Sequence, residues 1–192
     1  MTGHERRAEK KKESIRQASI ELFTTMGIRK VTMNEIADRA NVSKVSIYNY
    51  FRSKDELILD IMKTVCDQIL ENVKEIVESS LSFQDKLKKV ITYKSRGSGI
   101  FKGEFLQQLL SHDQAAQEYY EREFKPKSRL IMHRFFQEGK QTGHIAQDIP
   151  IETIELYVQI FQNGMERSPL VMRTEQIPEE LIRLFFYGLM QR

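Results

Sequence analysis

Lys44, Ser46, Tyr48, Asn49 and Tyr50 bring an amine, hydroxyls and an amide together in one short stretch. Such groups suit base edges and phosphates, and Val45 among them suits a thymine methyl. The competing chemistries are poorly provided for. None of His4, His112, His133 and His144 has a Glu three residues before it, so the Glu-x-x-His pairs of di-iron bundles are missing. Cys66 lies in an amphipathic pattern without a neighbouring His, and Gly97-Ser98-Gly99 suits an inter-helix turn better than a phosphate loop. No catalytic residue, cofactor or metal is expected, and the chain is not expected to be an enzyme.

The elements that would hold the polar stretch follow from periodicity and caps. From Lys10 to Met26, apolar residues at Ile15, Ala18, Leu22, Phe23 and Met26 mark one helical face, and Gly27 stands where a left-handed terminus is expected. Thr32 with Glu35 is a capping box, so a helix starts at Met33; it ends near Ala40, with Asn41 able to take positive φ. Ser43 caps a further helix from Lys44 to Tyr50. Two short helices on a tight turn, with Ala37, Val42 and Ile47 at their crossing, form a helix-turn-helix. A helical hairpin with a merely polar surface would share that spacing.

Ser53 with Glu56 opens a long helix whose stripe runs from Leu57 to Ile76. Beyond it, helices are expected over 83–94 and 100–111, then a long one to Lys140 kinked at the interior Pro126 and ended by Gly139 and Gly143. Asp148 and Pro150 start the next, and Pro178 the last. No strand-like alternation stands out, so the fold class is all-α. Two helices, around Ile151–Phe161 and Leu181–Met190, are apolar on nearly every face. The surplus face calls for a second copy of the chain, although burial wholly within one copy would also satisfy it.

Charge agrees with a polyanion partner. Residues 1–52 carry eleven basic and six acidic side chains, a net of +5, against −2 for the remainder, which sum to the +3 of the chain. A lysine-rich solvated tail gives the same excess, so charge alone does not decide. No apolar run is long enough to span a membrane, and no apolar segment follows the charged start, so neither a membrane nor a secretory signal is expected. A single cysteine suits a reducing, cytoplasmic setting.

The run Val31-Thr32-Met33-Asn34-Glu35-Ile36-Ala37, then Ala40-Asn41-Val42-Ser43 and Ile47-Tyr48-Asn49-Tyr50-Phe51-Arg52-Ser53-Lys54-Asp55-Glu56-Leu57, resembles the N-terminal domain of TetR-family transcriptional regulators. Ala18 to Gly27 and the connection through Thr32 are similar too, and Gly139 to Asp148 weakly resembles the approach to that family's penultimate core helix. Asn41 departs from the family's usual Gly, though Asn can adopt the same backbone. The resemblance implies an Ω-shaped homodimer on double-stranded DNA with a palindromic operator. It implies a three-helix helix-turn-helix domain over 1–54 and a helical effector-binding and dimerisation domain over 55–192. By position, Lys44, Val45, Ser46, Tyr48 and Tyr50 would read the groove, while Thr32, Asn34 and Lys54 would anchor phosphates. The ring of Tyr48 has a competing role beneath the recognition helix.

A small apolar effector would suit an aromatic-rich set near the proline break: Phe101, Phe105, Tyr119, Tyr120, Phe136, Phe161 and Met165, with His112, Tyr119 and Gln162 as polar members. Solid packing of these residues, in a regulator answering to a protein partner or to no effector, is the other reading. The dimer face is expected to include Tyr157, Phe161, Leu181, Phe185 and Leu189.

Overall fold

The computed structural model describes residues 3–96, 103–167, 181 and 183–185, with side chains described for 3–91, 105–164, 181 and 183–185. Among these residues there is helix and no strand. The helices are α1 (Gly3–Met26), α2 (Met33–Arg39), α3 (Lys44–Tyr50), α4 (Lys54–Glu78), α5 (Phe83–Arg96), α6 (Gly103–His112), α7 (Gln114–Tyr119), α8 (Lys125–Gln141) and α9 (Ile151–Arg167). The expected all-α fold is the one observed. Two compact units form, Met1–Cys66 with Glu104–Glu121, and Asp67–Gly103 with Arg122–Arg192.

In the first unit, α1 begins at Gly3, well before the expected Lys10, because strong helix formers such as Glu9, Lys10 and Lys11 extend it without needing a core. Its buried face is Ile15, Ala18, Ser19, Ile20 and Phe23, whereas Met26 stays 45% exposed. Ser19 replaces an expected apolar position because its hydroxyl donates to the Ile15 carbonyl at 2.7 Å. Gly27 has the expected positive φ, 83°, but its ψ of 143° lies outside the left-handed helical well, so the chain turns into a 3₁₀ turn over Ile28–Lys30. Asn41 takes φ 53°, as its residue type allows.

The second unit centres on Phe83, Leu87, Ile91, Phe135, Phe136, Ile145, Ile154, Val158 and Phe185. Two expectations are corrected there. Pro126 does not kink a helix interior: a π-helical segment, Tyr120–Phe124, separates α7 from α8, and Pro126 sits in the first turn of α8, where no N–H is required. Gly139 does not end α8, which runs to Gln141; Gly143, at φ 73°, follows that end. Pro178, Phe101 and Leu189 lie outside the described residues, as does the Gly97-Ser98-Gly99 turn.

Candidate nucleic-acid interface

The polar stretch is held by two reciprocal caps and a tight turn. At the start of α2, the Thr32 hydroxyl accepts from the Glu35 N–H at 3.3 Å, and the Glu35 carboxylate accepts from the Thr32 N–H at 2.7 Å and hydroxyl at 2.8 Å. These bonds, the backbone one foremost, hold the Glu35 carboxyl below the ordinary carboxylate range. The Asn41 N–H donates to Asp38 and the Val42 N–H to Ala37, turning the chain between the helices. Ser43 then caps α3, accepting from the Ser46 N–H at 3.1 Å. Ile36, Ala37 and Ile47, each fully buried, supply the crossing.

With Ile47 inward, the outer face of α3 is determined by the helical period. Lys44, Val45, Tyr48 and Asn49 are exposed, and Ser46 and Tyr50 are half-buried. Val45 is 70% exposed, an unusual place for a valine unless something covers it. Tyr48 is 47% exposed, so its ring is not locked beneath the helix, and Phe51 is core, as expected. Thr32 and Asn34 are exposed at the first turn of α2.

Lys54 is placed differently from a free anchor. Its ammonium donates to the Ile28 carbonyl and, at 2.6 Å, to the Val31 carbonyl, closing the turn that leads into α2. Burial pushes its pKa below the ordinary lysine value, against the pull of Asp55 and Glu35. The Glu56 carboxylate caps the N–H of Arg52, one residue earlier than the capping box requires, while the Ser53 hydroxyl accepts from Glu56 as expected.

One structural residue had no sequence signal. Arg16 of α1 donates to Asp60 of α4 at 2.6 Å, to Glu9 at 2.9 Å and to Glu13 at 3.1 Å. Burial opposes its charge, but hydrogen bonds to Asp60 and Glu9 raise its pKa above the ordinary arginine value. The pair with Asp60 ties the first helix to the start of the fourth.

The expected effector residues are divided. Phe105, His112, Tyr119 and Tyr120 belong to the first unit, and Phe136, Phe161 and Gln162 to the second; Phe101 and the side chain of Met165 lie outside the described residues. Phe105 and Phe136 are 2% and 1% exposed, as core residues are. A cleft of about 410 Å³ in the second unit is lined by Val77, Ile131 and Phe135 beneath Lys74, Glu78, Lys86, Arg134 and Glu138, none of them in the expected set. A cleft of about 300 Å³ in the first unit includes His112.

The expected dimer face is also redrawn. Phe185 is 1% exposed, stacked on Tyr157 at 5.0 Å and against Phe161 at 4.6 Å, within the core of its own unit. Leu181, Tyr157 and Phe161 pack on that core. The uncovered apolar residues are instead Leu156, Ile160 and Leu184, at 55%, 60% and 66% exposure.

Residues 15–61 match the family described as bacterial regulatory proteins, tetR family. The chain is 32% identical over 81 residues to the uncharacterized HTH-type transcriptional regulator YhgD of Bacillus subtilis, a match spanning 42% of each chain. It is 21% identical over 164 residues to the HTH-type transcriptional repressor KstR2 of Mycolicibacterium smegmatis, covering 78% of this chain and 74% of that one. The solved transcriptional regulator FadR from Bacillus subtilis, in complex with stearoyl-CoA, shares the fold at a TM-score of 0.71 and 20% identity, over 92% of this chain and 98% of its own. Among the described residues no helix is long and apolar enough to cross a membrane. A capped helix-turn-helix with an exposed second helix, the family match across it and a fold shared along most of the chain lead to one conclusion: the chain belongs to the TetR family of DNA-binding transcriptional regulators.

Proposed function

We propose that the protein is a repressor that binds a palindromic operator as a homodimer and releases it when a small, largely apolar effector binds. DNA reading is assigned to residues 1–54, and effector binding and dimerisation to 55–192. The observation that carries the reading is the outer face of α3, where Val45 at 70% and Tyr48 at 47% exposure stand between Lys44 and Asn49. In a two-fold dimer, two such helices would enter successive major grooves about 34 Å apart. The effector's place is the cleft of the second unit, whose apolar floor of Val77, Ile131 and Phe135 lies under the cations Lys74, Lys86 and Arg134. That lining suits an apolar body with an acidic end. FadR was solved with stearoyl-CoA, and KstR2 of Mycobacterium tuberculosis is described as a ketosteroid regulator; both descriptions support an apolar body. The full burial of Phe105 and Phe136 favours a second reading, a solid C-terminal core in a regulator controlled by a protein partner or lacking an effector.

Selection of bound DNA from a random pool tests the reading, with an enriched palindrome expected. On the selected site, Lys44→Ala and Ser46→Ala should change which bases are preferred, by about 1–3 kcal/mol of discrimination for each lost base contact. Lys54→Ala should weaken all sequences alike and lower the salt slope by about one unit. It should also lower the melting temperature, because the Ile28 and Val31 carbonyls lose their donor. Gel-shift titrations in which neither class of variant changes binding would remove the groove assignment. Effector coupling is expected to reduce operator affinity roughly 5- to 150-fold.

A further inference from the structure

We propose that the first unit carries a binding site of its own, for a small hydroxylated organic acid, in the cleft between the turn after α1 and the helix α6. The cleft holds about 300 Å³, the lower end of the range for small-molecule sites. One wall is Met26, Arg29 and Lys30; the other is Gln108, Ser111 and His112 of α6. The helical period explains the second wall, since Phe105 and Leu109 turn α6 into the core while positions 108, 111 and 112 share another face.

Three observations point to a ligand. The Gln108 side-chain oxygen is shielded from solvent yet accepts no hydrogen bond, an exception that folded proteins rarely leave without a use. Arg29 and Lys30 are exposed, and neither has an ion-pair partner among the described residues. The nearest chain acids are occupied elsewhere: Asp113 accepts from the Ala116 N–H at 2.7 Å and Glu21 pairs with Arg39. Ser111 already donates to the Gln108 carbonyl at 3.1 Å. An inward acceptor without a donor and rim cations without an anion are complementary to one molecule: a carboxylate at the rim, an O–H donor opposite it, and an apolar ring between, beside the half-exposed Met26. The cleft of the second unit is different in kind, because Lys86 there already meets Glu138 at 3.3 Å.

Position gives the site its consequence. The turn at Ile28–Lys30 is pinned by Lys54 and leads through Val31 to the cap at Thr32, so an occupant sits directly before the DNA-reading helices. Occupancy therefore shifts operator affinity through the setting of α2.

The test uses the full chain without DNA, so its outcome is separate from that of the operator experiments. Para-hydroxybenzoate, benzoate and para-hydroxybenzamide are titrated while amide shifts are followed by nitrogen–proton correlation spectra. Saturable shifts at residues 26–30 and 108–112 are expected with para-hydroxybenzoate. Benzoate, lacking the donor, and the amide, lacking the charge, should each bind about tenfold more weakly. Gln108→Leu keeps the side-chain volume, removes the orphaned acceptor and should bring para-hydroxybenzoate down to the affinity of benzoate. The double variant Arg29→Ala, Lys30→Ala, at exposed positions, should weaken both acids and leave the amide unchanged. Equal binding of all three probes, shifts mapping elsewhere, no saturable binding by para-hydroxybenzoate, or an unaffected Gln108→Leu protein would overturn the site.

Discussion

Thr32 sits at the junction between the turn and α2, and its hydroxyl both accepts from and donates to Glu35. Thr32→Ala should cost about 1 kcal/mol, the usual loss on removing a cap. The Glu35 carboxyl would rise some way toward its ordinary range, since the hydroxyl bond is lost and the backbone bond stays. A carboxyl held low binds fewer protons folded than unfolded; its support is complete above the unfolded carboxylate range and disappears as pH falls through the lowered folded value. Carboxyl-carbon titration of Glu35 in both proteins checks this, and identical curves would remove the hydroxyl from the cap. The Thr-x-x-Glu cap was readable because donor and acceptor are three residues apart. Lys54 was not: its carbonyl partners lie 26 and 23 residues away, and Arg16 reaches Asp60 across 44. A charge in a sequence announces itself but not its partner, so Lys54 looked like a phosphate anchor and Arg16 like surface.

At the scale of elements, helix positions were legible wherever caps and periodicity coincided, as for α2 and α3, whose bounds match the expected ones to within a residue. Glycine was the ambiguous letter. Gly143 has the positive φ that ends a helix, but Gly139 is inside α8 because a neighbour comes close. A Cβ there would stand 2.4 Å from the Phe83 ring and 2.9 Å from Ile145. Phe83 cannot easily yield, being 5% exposed and stacked on Phe135 at 4.8 Å. In Gly139→Ala, a gain of up to about 1 kcal/mol in helix propensity opposes overpacking of about 1–3 kcal/mol. Overpacking should win, lowering stability in denaturant titrations, and Phe83→Leu in the same chain should restore some of the loss. A stabilised single variant would show that Phe83 has room to move.

At the scale of the whole molecule, the apolar surplus of the last helices was legible from composition, but not which face was surplus. Sequence alone weighted the bulkiest residue, and Phe185 proves to be 1% exposed in the core of its own unit. Phe185→Glu would therefore bury an unpaired carboxylate and unfold that core, instead of merely separating a pair of folded copies. The residues left for a second copy are Leu156 and Ile160, one turn apart on α9, and Leu184. Covering each of these side chains fully would contribute about 1.5–3 kcal/mol, and a two-fold axis uses every one twice. Ile160→Asp, at 60% exposure, leaves a charge in water in the separated chain but desolvates it in the pair. Folding should be untouched while association weakens, seen as an unchanged helical signal alongside a monomer in sedimentation. A monomer keeps one recognition helix, so operator affinity should fall by about 10²- to 10⁴-fold, the usual gain from linking two binding modules. Should Ile160→Asp remain a dimer with full operator affinity, the pairing face would have to lie away from this stripe of α9, and the exposure of Leu156 and Ile160 would need another partner.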